Sequence, residues 1–164
     1  MTAKLLLPLV VLVCGACRHS PPDTRTSHVE FIADGGLLIR RDDGGRRALL
    51  ALDSATAPAG ALIAPRRWSP AQGSTFNVAA TRFRHVAPSP RADWVAFETE
   101  GTHELVGVVA ATGRSMHVLD FFFDSSADSL RWASAGRYLT AYYTPPSGVS
   151  EVRVYDAATG KRVK

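Results

Sequence analysis

The sequence predicts an all-β fold made of antiparallel repeats, and two observations support this. The stretch 87–113 is largely repeated at 130–160, with Trp94 corresponding to Tyr138, 44 residues later. Short apolar runs also alternate with Gly, Pro, Asp and Ser along most of the chain, as they do between short strands. A period of about 40–50 residues built from strands and turns is typical of β-sheet arrays. A generic antiparallel meander containing two similar hairpins is the alternative.

The two copies contain similar turns and strands. The first reads Ser-Pro-Arg-Ala-Asp-Trp-Val-Ala-Phe at 89–97 and ends in Ala-Ala-Thr-Gly-Arg at 110–114. The second reads Ala-Gly-Arg-Tyr-Leu-Thr-Ala-Tyr at 135–142 and ends in Asp-Ala-Ala-Thr-Gly-Lys at 156–161. This pattern resembles the blade repeat of TolB-type β-propellers over residues 87–163. The resemblance implies antiparallel four-stranded blades, although Arg91-Ala92-Asp93 stands where the family usually has Asp-Gly-Arg.

The segment before the repeats reads as an earlier, diverged blade. Asp34-Gly35 and Asp43-Gly44 separate three apolar runs, and Asp-Gly between such runs is a strong hairpin signal. The Ala- and Leu-rich run 48–52 also permits a short helix. We therefore expect about ten strands in about three blades over residues 28–164. Because propellers close with four or more blades, this predicts an incomplete or open propeller.

The first 16 residues have the features of an export signal. A single positive residue, Lys4, precedes an apolar run at 5–13 that is too short to span a bilayer. Gly15-Ala16 then stands directly before Cys17, which resembles the lipobox of bacterial lipoproteins. The resemblance implies cleavage after Ala16 and acylation of Cys17. An ordinary signal peptide cut near Ala16 is the alternative.

The predicted organisation has three parts. Residues 1–16 are a lipoprotein signal peptide, residues 17–27 are a lipidated cysteine and a polar tether, and residues 28–164 are the repeat domain. Both cysteines of the chain, Cys14 and Cys17, lie in or next to the leader, so the mature domain has no disulfide. We expect an envelope location, lipid-anchored at the periplasmic face of the outer membrane, because Arg18 is not the Asp that retains enteric lipoproteins in the inner membrane.

The aromatic residues of the two copies are the expected core. Equivalent positions in the copies predict inward-facing side chains, and three consecutive phenylalanines suit a strand buried on both faces. The expected core residues are Trp94, Phe97, Phe121–Phe123, Trp132 and Tyr138.

We find no catalytic motif, and we predict no cofactor and no metal. The chain has no Gly-x-Ser-x-Gly and no His-Glu-x-x-His, and its histidines never fall at metal-ligand spacing. Asp120, Asp124 and Asp128 recur every four residues, but they lack the glycine and spacing of a calcium loop. We interpret these carboxylates as solvated loop acids. His103 and Glu104 are adjacent, so a turn is expected there.

Charge is distributed unevenly along the chain. Residues 18–91 carry eleven arginines against six acids, whereas residues 92–164 carry seven basic residues against nine acids. The paired arginines of the first half, at 40–41, 46–47 and 66–67, lie beside turns, where a solvated surface is the ordinary interpretation. Anionic lipid or a cell-wall polymer is the functional alternative. We predict no nucleic-acid partner, because no aromatic residues are interleaved with the basic ones.

These observations favour a membrane-anchored, non-enzymatic binding or scaffold module. The alternative is an accessory propeller piece of an exported hydrolase or peptidase, since propellers also occur beside peptidase domains. The chain ends at Lys164, soon after the Thr159-Gly160 turn, so we expect an incomplete last blade with an exposed edge. Unpaired edges attract further strands. The prediction is therefore self-association or pairing with another envelope protein through that edge.

Overall fold

The computed structural model describes residues 28–69, 75–122 and 126–164, and over these ranges the chain is all-β. Fourteen strands form three four-stranded sheets and one two-stranded ribbon. The predicted all-β class is confirmed, but the expected number of about ten strands is too low, because four strands contain only two residues each. Within the described ranges, no helix has the length and apolarity needed to cross a membrane.

Sheet 1 occupies the segment that the sequence predicted as an earlier blade. Its strands, in spatial order, are β1 (Glu30–Asp34), β2 (Leu37–Asp42), β3 (Gly45–Ala51) and β4 (Leu62–Ile63). The first three are antiparallel, whereas β4 runs parallel to β3. The helix considered at 48–52 is wrong: β3 covers most of that run, and its apolar side chains are buried by packing.

A two-stranded ribbon follows sheet 1 in the chain. It consists of β5 (Arg67–Trp68) and β6 (Phe76–Asn77), which pair antiparallel. The Phe76 ring stacks on Phe121 of sheet 2, with ring centres 5.2 Å apart. Val78, Leu105 and Phe121 form a small buried cluster at this point. The ribbon therefore covers part of sheet 2.

Sheet 2 contains the first sequence copy and is a simple antiparallel meander. Its strands are β7 (Ala80–Pro88), β8 (Trp94–Gly101), β9 (Glu104–Ala110) and β10 (Met116–Phe122). The turn between β8 and β9 contains His103, as the sequence predicted. Residues 95–99 and 105–110 are all buried, so both faces of the two central strands are covered.

Sheet 3 contains the second copy and has the same strand order. It consists of β11 (Ala127–Trp132), β12 (Tyr138–Tyr143), β13 (Glu151–Asp156) and β14 (Lys161–Arg162). The last strand, β14, pairs only with the end of β13, at Tyr155 and Asp156. This fourth strand is only two residues long.

Sheet 2 lies between the other two sheets, and the core is divided accordingly. Successive side chains of a strand point to opposite faces, so the odd-numbered residues of β8, such as Val95 and Phe97, pack with the leucines of sheet 1. The even-numbered Ala96 packs with Leu139 and other residues of sheet 3. Each central strand of sheet 2 thus contributes to two cores.

The aromatic core prediction is confirmed in part. Phe97, Phe121 and Phe122 are at most 6% exposed, and Phe123 lies outside the described residues. Trp94 and Trp132 are half-buried; the Trp132 indole N–H donates to the Ala87 carbonyl at 2.8 Å.

Tyr138 corrects the core prediction. The buried Leu139 beside it faces sheet 2, and neighbouring side chains on a strand point to opposite faces. Tyr138 therefore lies on the far side of sheet 3. It does correspond to Trp94, but no sheet of the described chain is shown to cover it.

Candidate interaction surface

The side of sheet 3 turned away from sheet 2 is an aromatic and apolar surface, which we call the outer face of sheet 3. The register places Thr140 opposite both Arg131 and Val154, and Tyr142 opposite both Ser129 and Val152. Residues opposite each other in adjacent strands share a face. The outer face of sheet 3 is therefore made of Ser129, Arg131, Tyr138, Thr140, Tyr142, Val152, Val154 and the buried Asp156, which is opposite Tyr138.

Large hydrophobic side chains on this face are exposed. Tyr142 is 37% exposed and Val152 is 46% exposed, and each lies within a strand, one residue from the end that borders the loop at 144–150. The Arg131 guanidinium lies over the Tyr142 ring, 5.4 Å from its centre, and Arg137 lies over Tyr138 at 5.1 Å. An apolar patch edged by arginine is common at binding surfaces, since arginine and aromatic residues are enriched in interface cores.

The outer face of sheet 3 matches, position for position, the face of sheet 2 that packs against sheet 3. In sheet 2, Ala96 is opposite Ala87 and Val108; in sheet 3, Thr140 is opposite Arg131 and Val154. The next positions correspond in the same way. Sheet 2 has His85, Glu98 and Val106 there, and sheet 3 has Ser129, Tyr142 and Val152. The two faces thus have the same register, but within the part of the chain that the structure describes, only the face of sheet 2 is covered by another sheet.

Sheet 1 also has a side turned away from sheet 2, which we call the outer face of sheet 1. It contains Ile32 of β1 opposite Ile39, which is only 6% exposed, and Ile63 of the edge strand β4, which is 39% exposed. Two exposed ion pairs also lie on this face, Glu30 with Arg41 at 3.5 Å and Asp34 with Arg46 at 3.3 Å. The outer face of sheet 1 thus combines apolar side chains with paired charges.

Two polar clusters join sheets 2 and 3. The carboxylate of Glu98, fully buried, accepts the Ala127 N–H at 2.6 Å and lies 2.5 Å from His85 Nδ1. The Glu98 side chain thus links β8 of sheet 2 to β11 of sheet 3, which indicates a structural role.

The second cluster is centred on Asp120. Its carboxylate accepts hydrogen bonds from Arg153, at 2.9 Å, and from the Tyr155 hydroxyl. Burial and the hydrogen bond to Asp120 raise the pKa of Tyr155 well above its usual range. The guanidinium of Arg153 also lies over the Phe122 and Tyr143 rings. Asp120 is therefore engaged in holding β10 to β13.

The structure does not bring Asp128 and the other acids of the sequence analysis together into a metal site among the described residues. Asp128 accepts a hydrogen bond from the Thr144 hydroxyl at 2.7 Å, and Asp124 lies outside the described residues. Among residues 28–69, 75–122 and 126–164, no three His, Cys, Asp or Glu side chains are grouped as a metal site requires. Cys17 and the whole leader also lie outside the described residues.

A cleft of about 360 Å³ lies between the end of sheet 1 and the β6–β7 connection. The ion pair of Asp53 and Arg66, 2.5 Å apart, forms part of its wall, together with Leu52 and residues 77–80. Among the described residues that line it, none is a serine, cysteine or histidine. Its one carboxylate, Asp53, is paired with Arg66.

The outer face of sheet 3 was not predicted, although the pattern of residues in β12 indicates it. Residues 138–143 are aromatic or aliphatic at all but one position. In a strand with one wet face, polar residues alternate with apolar ones. The absence of such alternation predicts a strand covered on both sides, and the structure covers only one of them.

Comparison with known proteins gives a likeness of fold alone. No protein-family model and no curated protein matches the chain. A crystal structure of an uncharacterized protein from Listeria monocytogenes is similar over 83% of this chain, with a TM-score of 0.50 and 10% sequence identity. The chain corresponds to 35% of the length of that solved chain.

Proposed function

We propose that the protein is a membrane-anchored, exported lipoprotein whose β-repeat domain is a non-enzymatic binding or scaffold module of the cell envelope. The observation that carries the binding role is the outer face of sheet 3. It exposes Tyr142 and Val152 at the strand positions that sheet 2 uses to pack against a neighbouring sheet. Apolar surface of this kind is stabilised when a partner removes it from water.

A propeller-like arrangement of blades is part of this proposal. Three sheets have four strands each, in chain order, and their first strands contact one another in the series β1, β7 and β11. Contacts between first strands are expected when sheets are arranged around a common axis. Such an array presents its end faces and its loops to partners, and it needs no catalytic group.

The anchor is proposed on the sequence of the leader. Acylation of Cys17 would place the domain at a membrane surface, and residues 18–27 would hold it clear of the lipid. Ten extended residues span at most about 33–36 Å. With Arg18 after the cysteine, the expected location is the periplasmic face of the outer membrane.

Lipid attachment is tested by metabolic labelling with a palmitate analogue. The wild-type chain should be labelled and should sediment with membranes, whereas Cys17→Ser should be neither labelled nor membrane-bound. Cys14→Ser is the matched control and should be labelled like the wild type. Labelling of the Cys17→Ser chain would contradict the anchor.

Binding is tested by capture from detergent-solubilised envelopes with two glutamate variants. Val152→Glu places a charge on the outer face of sheet 3, whereas Val149→Glu changes a loop residue that is 69% exposed. Wild type and Val149→Glu should retain the same bound protein, which can be a second copy of the chain, and Val152→Glu should lose it. Equal retention by all three would contradict a role for this face.

The alternative function is an accessory piece of an exported hydrolase or peptidase. It is the interpretation that the sequence left open, since propellers also occur beside peptidase domains. A nucleophile-directed activity probe should then label a protein that co-purifies with the chain. The same probe should leave the purified chain itself unlabelled under both proposals.

A further inference from the structure

The two outer faces of the molecule are of unlike kinds. Each contact between sheets joins two different kinds of face. In the contact of sheets 2 and 3, sheet 2 contributes the side of β8 that contains Ala96, and sheet 3 contributes the side of β12 that contains Leu139. The outer face of sheet 3 corresponds to the Ala96 side of sheet 2, and we call this the receiving kind of face. The outer face of sheet 1 is of the other kind, because its receiving side already packs on sheet 2. Each outer face therefore fits the other better than it fits itself.

Both outer faces present apolar side chains. Sheet 3 presents Tyr142, Val152 and Val154, and sheet 1 presents Ile32 and Ile63 on its two edge strands. In the contact between sheets 2 and 3, the positions equivalent to Val152 and Val154 are Val106 and Val108, and both are fully buried. A second sheet placed on sheet 3 in the same manner would bury the two valines likewise.

The charges at the first strands are complementary. First strands contact each other within the chain, so β11 of one copy would lie beside β1 of the next. β11 carries the exposed Arg131 on the outer face of sheet 3, and β1 carries the exposed Glu30 and Asp34 on the outer face of sheet 1. Both acids pair with arginines of their own sheet, Arg41 and Arg46, and exposed pairs of this kind contribute little to stability.

We propose that two copies of the chain pack head to tail, with the outer face of sheet 3 of each copy on the outer face of sheet 1 of the other. Two such contacts, related by a twofold axis, bring six sheets into one closed ring. Rings of this type contain about four to eight sheets, and six lie within that range. The inference rests on the array proposed above and is independent of the lipid anchor.

The test measures the mass of the full chain in detergent, by size exclusion with light scattering. The protein part of the wild-type particle should be twice the chain mass and should stay so over a tenfold range of concentration. Arg131→Glu should halve that mass. The control Arg114→Glu, an exposed change in the turn after β9, should leave it unchanged.

Charge exchange separates head-to-tail packing from other modes. Glu30→Arg alone should also halve the mass, because it opposes Arg131, and the double variant Glu30→Arg with Arg131→Glu should restore the dimer. Pairing of two sheet 3 faces predicts no effect of Glu30→Arg and no restoration, and either result overturns the proposal. A mass that grows with concentration indicates an open chain of copies and also overturns it.

A monomeric wild type overturns this inference without touching the proposed function. Envelope capture that depends on Val152 would then still identify a different partner, and labelling at Cys17 would still report the anchor. Restoration by the double charge exchange also excludes misfolding as the cause of dissociation, since a misfolded Arg131→Glu chain would not recover when a distant residue is changed.

Discussion

Sheets 2 and 3 are two versions of one repeat, and they differ mainly in what covers them. Their strand order and register are the same, yet sheet 2 packs on both sides and sheet 3 on one. At the shared position of the second strand, sheet 2 has Glu98, fully buried, and sheet 3 has Tyr142, which is exposed. The comparison teaches that strand pairing determines the register, whereas the neighbouring sheet determines which side chain each position can hold.

The cores of the two sheets solve one packing problem in opposite ways. In sheet 2 the large Phe97 is opposite Gly107, and a Cβ on that glycine would lie 2.4 Å from the phenyl ring. In sheet 3 the same pair of positions holds the small Ala141 and the large Arg153. Each pair therefore has one large and one small member, on opposite strands.

The largest predicted effect follows from that packing. Phe97→Ala should lower the free energy of unfolding by about 3–5 kcal/mol, because the ring is fully buried and Gly107 cannot fill the space. Chemical denaturation measures the change. Val149→Ala, in an exposed loop, should stay within about 0.5 kcal/mol of the wild type. A loss below about 1 kcal/mol for Phe97→Ala would contradict the assigned face.

The next effect concerns the carboxylate between the sheets. Glu98→Leu should cost about 1–3 kcal/mol, because the Ala127 N–H would lose its acceptor in a buried place. Glu98→Gln should cost less, since its amide oxygen can still accept that N–H. Denaturation of both variants checks the order. Equal losses would indicate that the bond to Ala127 contributes nothing.

Local signals in the sequence predicted the repeat and its turns, whereas long-range features escaped it. The 44-residue offset between Trp94 and Tyr138 correctly paired the second strands of two sheets. The parallel strand β4 and the β5–β6 ribbon could not be anticipated, because two-residue strands have no period to read. The alternation of residue types along a strand shows which residues share a face. The sheet that covers that face comes from elsewhere in the chain or from another molecule.

The candidate surface illustrates the same limit. Tyr138 was expected inside because it occupies the position of Trp94 in the second sequence copy. Trp94 lies toward a neighbouring sheet, whereas the structure has no described sheet at the corresponding place beside sheet 3. Glu98 was not singled out either, since its partner Ala127 is 29 residues away in the chain. No local spacing reports such a contact.

Sheet 3 also differs from sheet 2 in its response to acid. Asp156 is opposite Tyr138, at the position where sheet 2 has Ala110. The hydrogen bonds from Arg137, at 2.7 and 2.9 Å, lower the pKa of Asp156. A carboxyl with a lowered folded pKa stabilises the protein above its unfolded pKa, about 3.9 for Asp, and this stabilisation is lost as pH falls through the folded value.

We therefore expect Asp156→Asn to be less stable than the wild type at pH 7 and to approach it below about pH 4. Unfolding free energies at pH 7, 5 and 3 measure the difference. Asp43→Asn, in the exposed turn between β2 and β3, is the control and should show no such convergence. If the unfolding free energies of Asp156→Asn and the wild type differed by the same amount at all three pH values, ionisation of Asp156 would not be the source of the stability.

The smallest effect compares the turns that lead into the two second strands. Ala92 has a φ of 53° and its counterpart Gly136 a φ of 73°, and each donates its N–H to the carbonyl three residues earlier at 2.8 Å. For a residue with a Cβ this left-handed conformation costs about 1–2 kcal/mol. Glycine avoids that cost but loses about 0.4–1 kcal/mol through the entropy of the unfolded chain. Ala92→Gly should thus stabilise the protein by roughly 0.5–1 kcal/mol, a net of the two terms.

Gly136→Ala should destabilise by a similar amount, for the same reason with the sign reversed. A Cβ at position 136 would lie 3.6 Å from Pro90 Cδ, an ordinary contact, so the backbone rather than a clash sets the cost. The double variant should lie within about 0.5 kcal/mol of the sum of the single changes if the turns are independent. Since Gly136 lies beside Pro90 in the turn that contains Ala92, a larger deviation in denaturation would measure how strongly the two repeats are coupled at this contact.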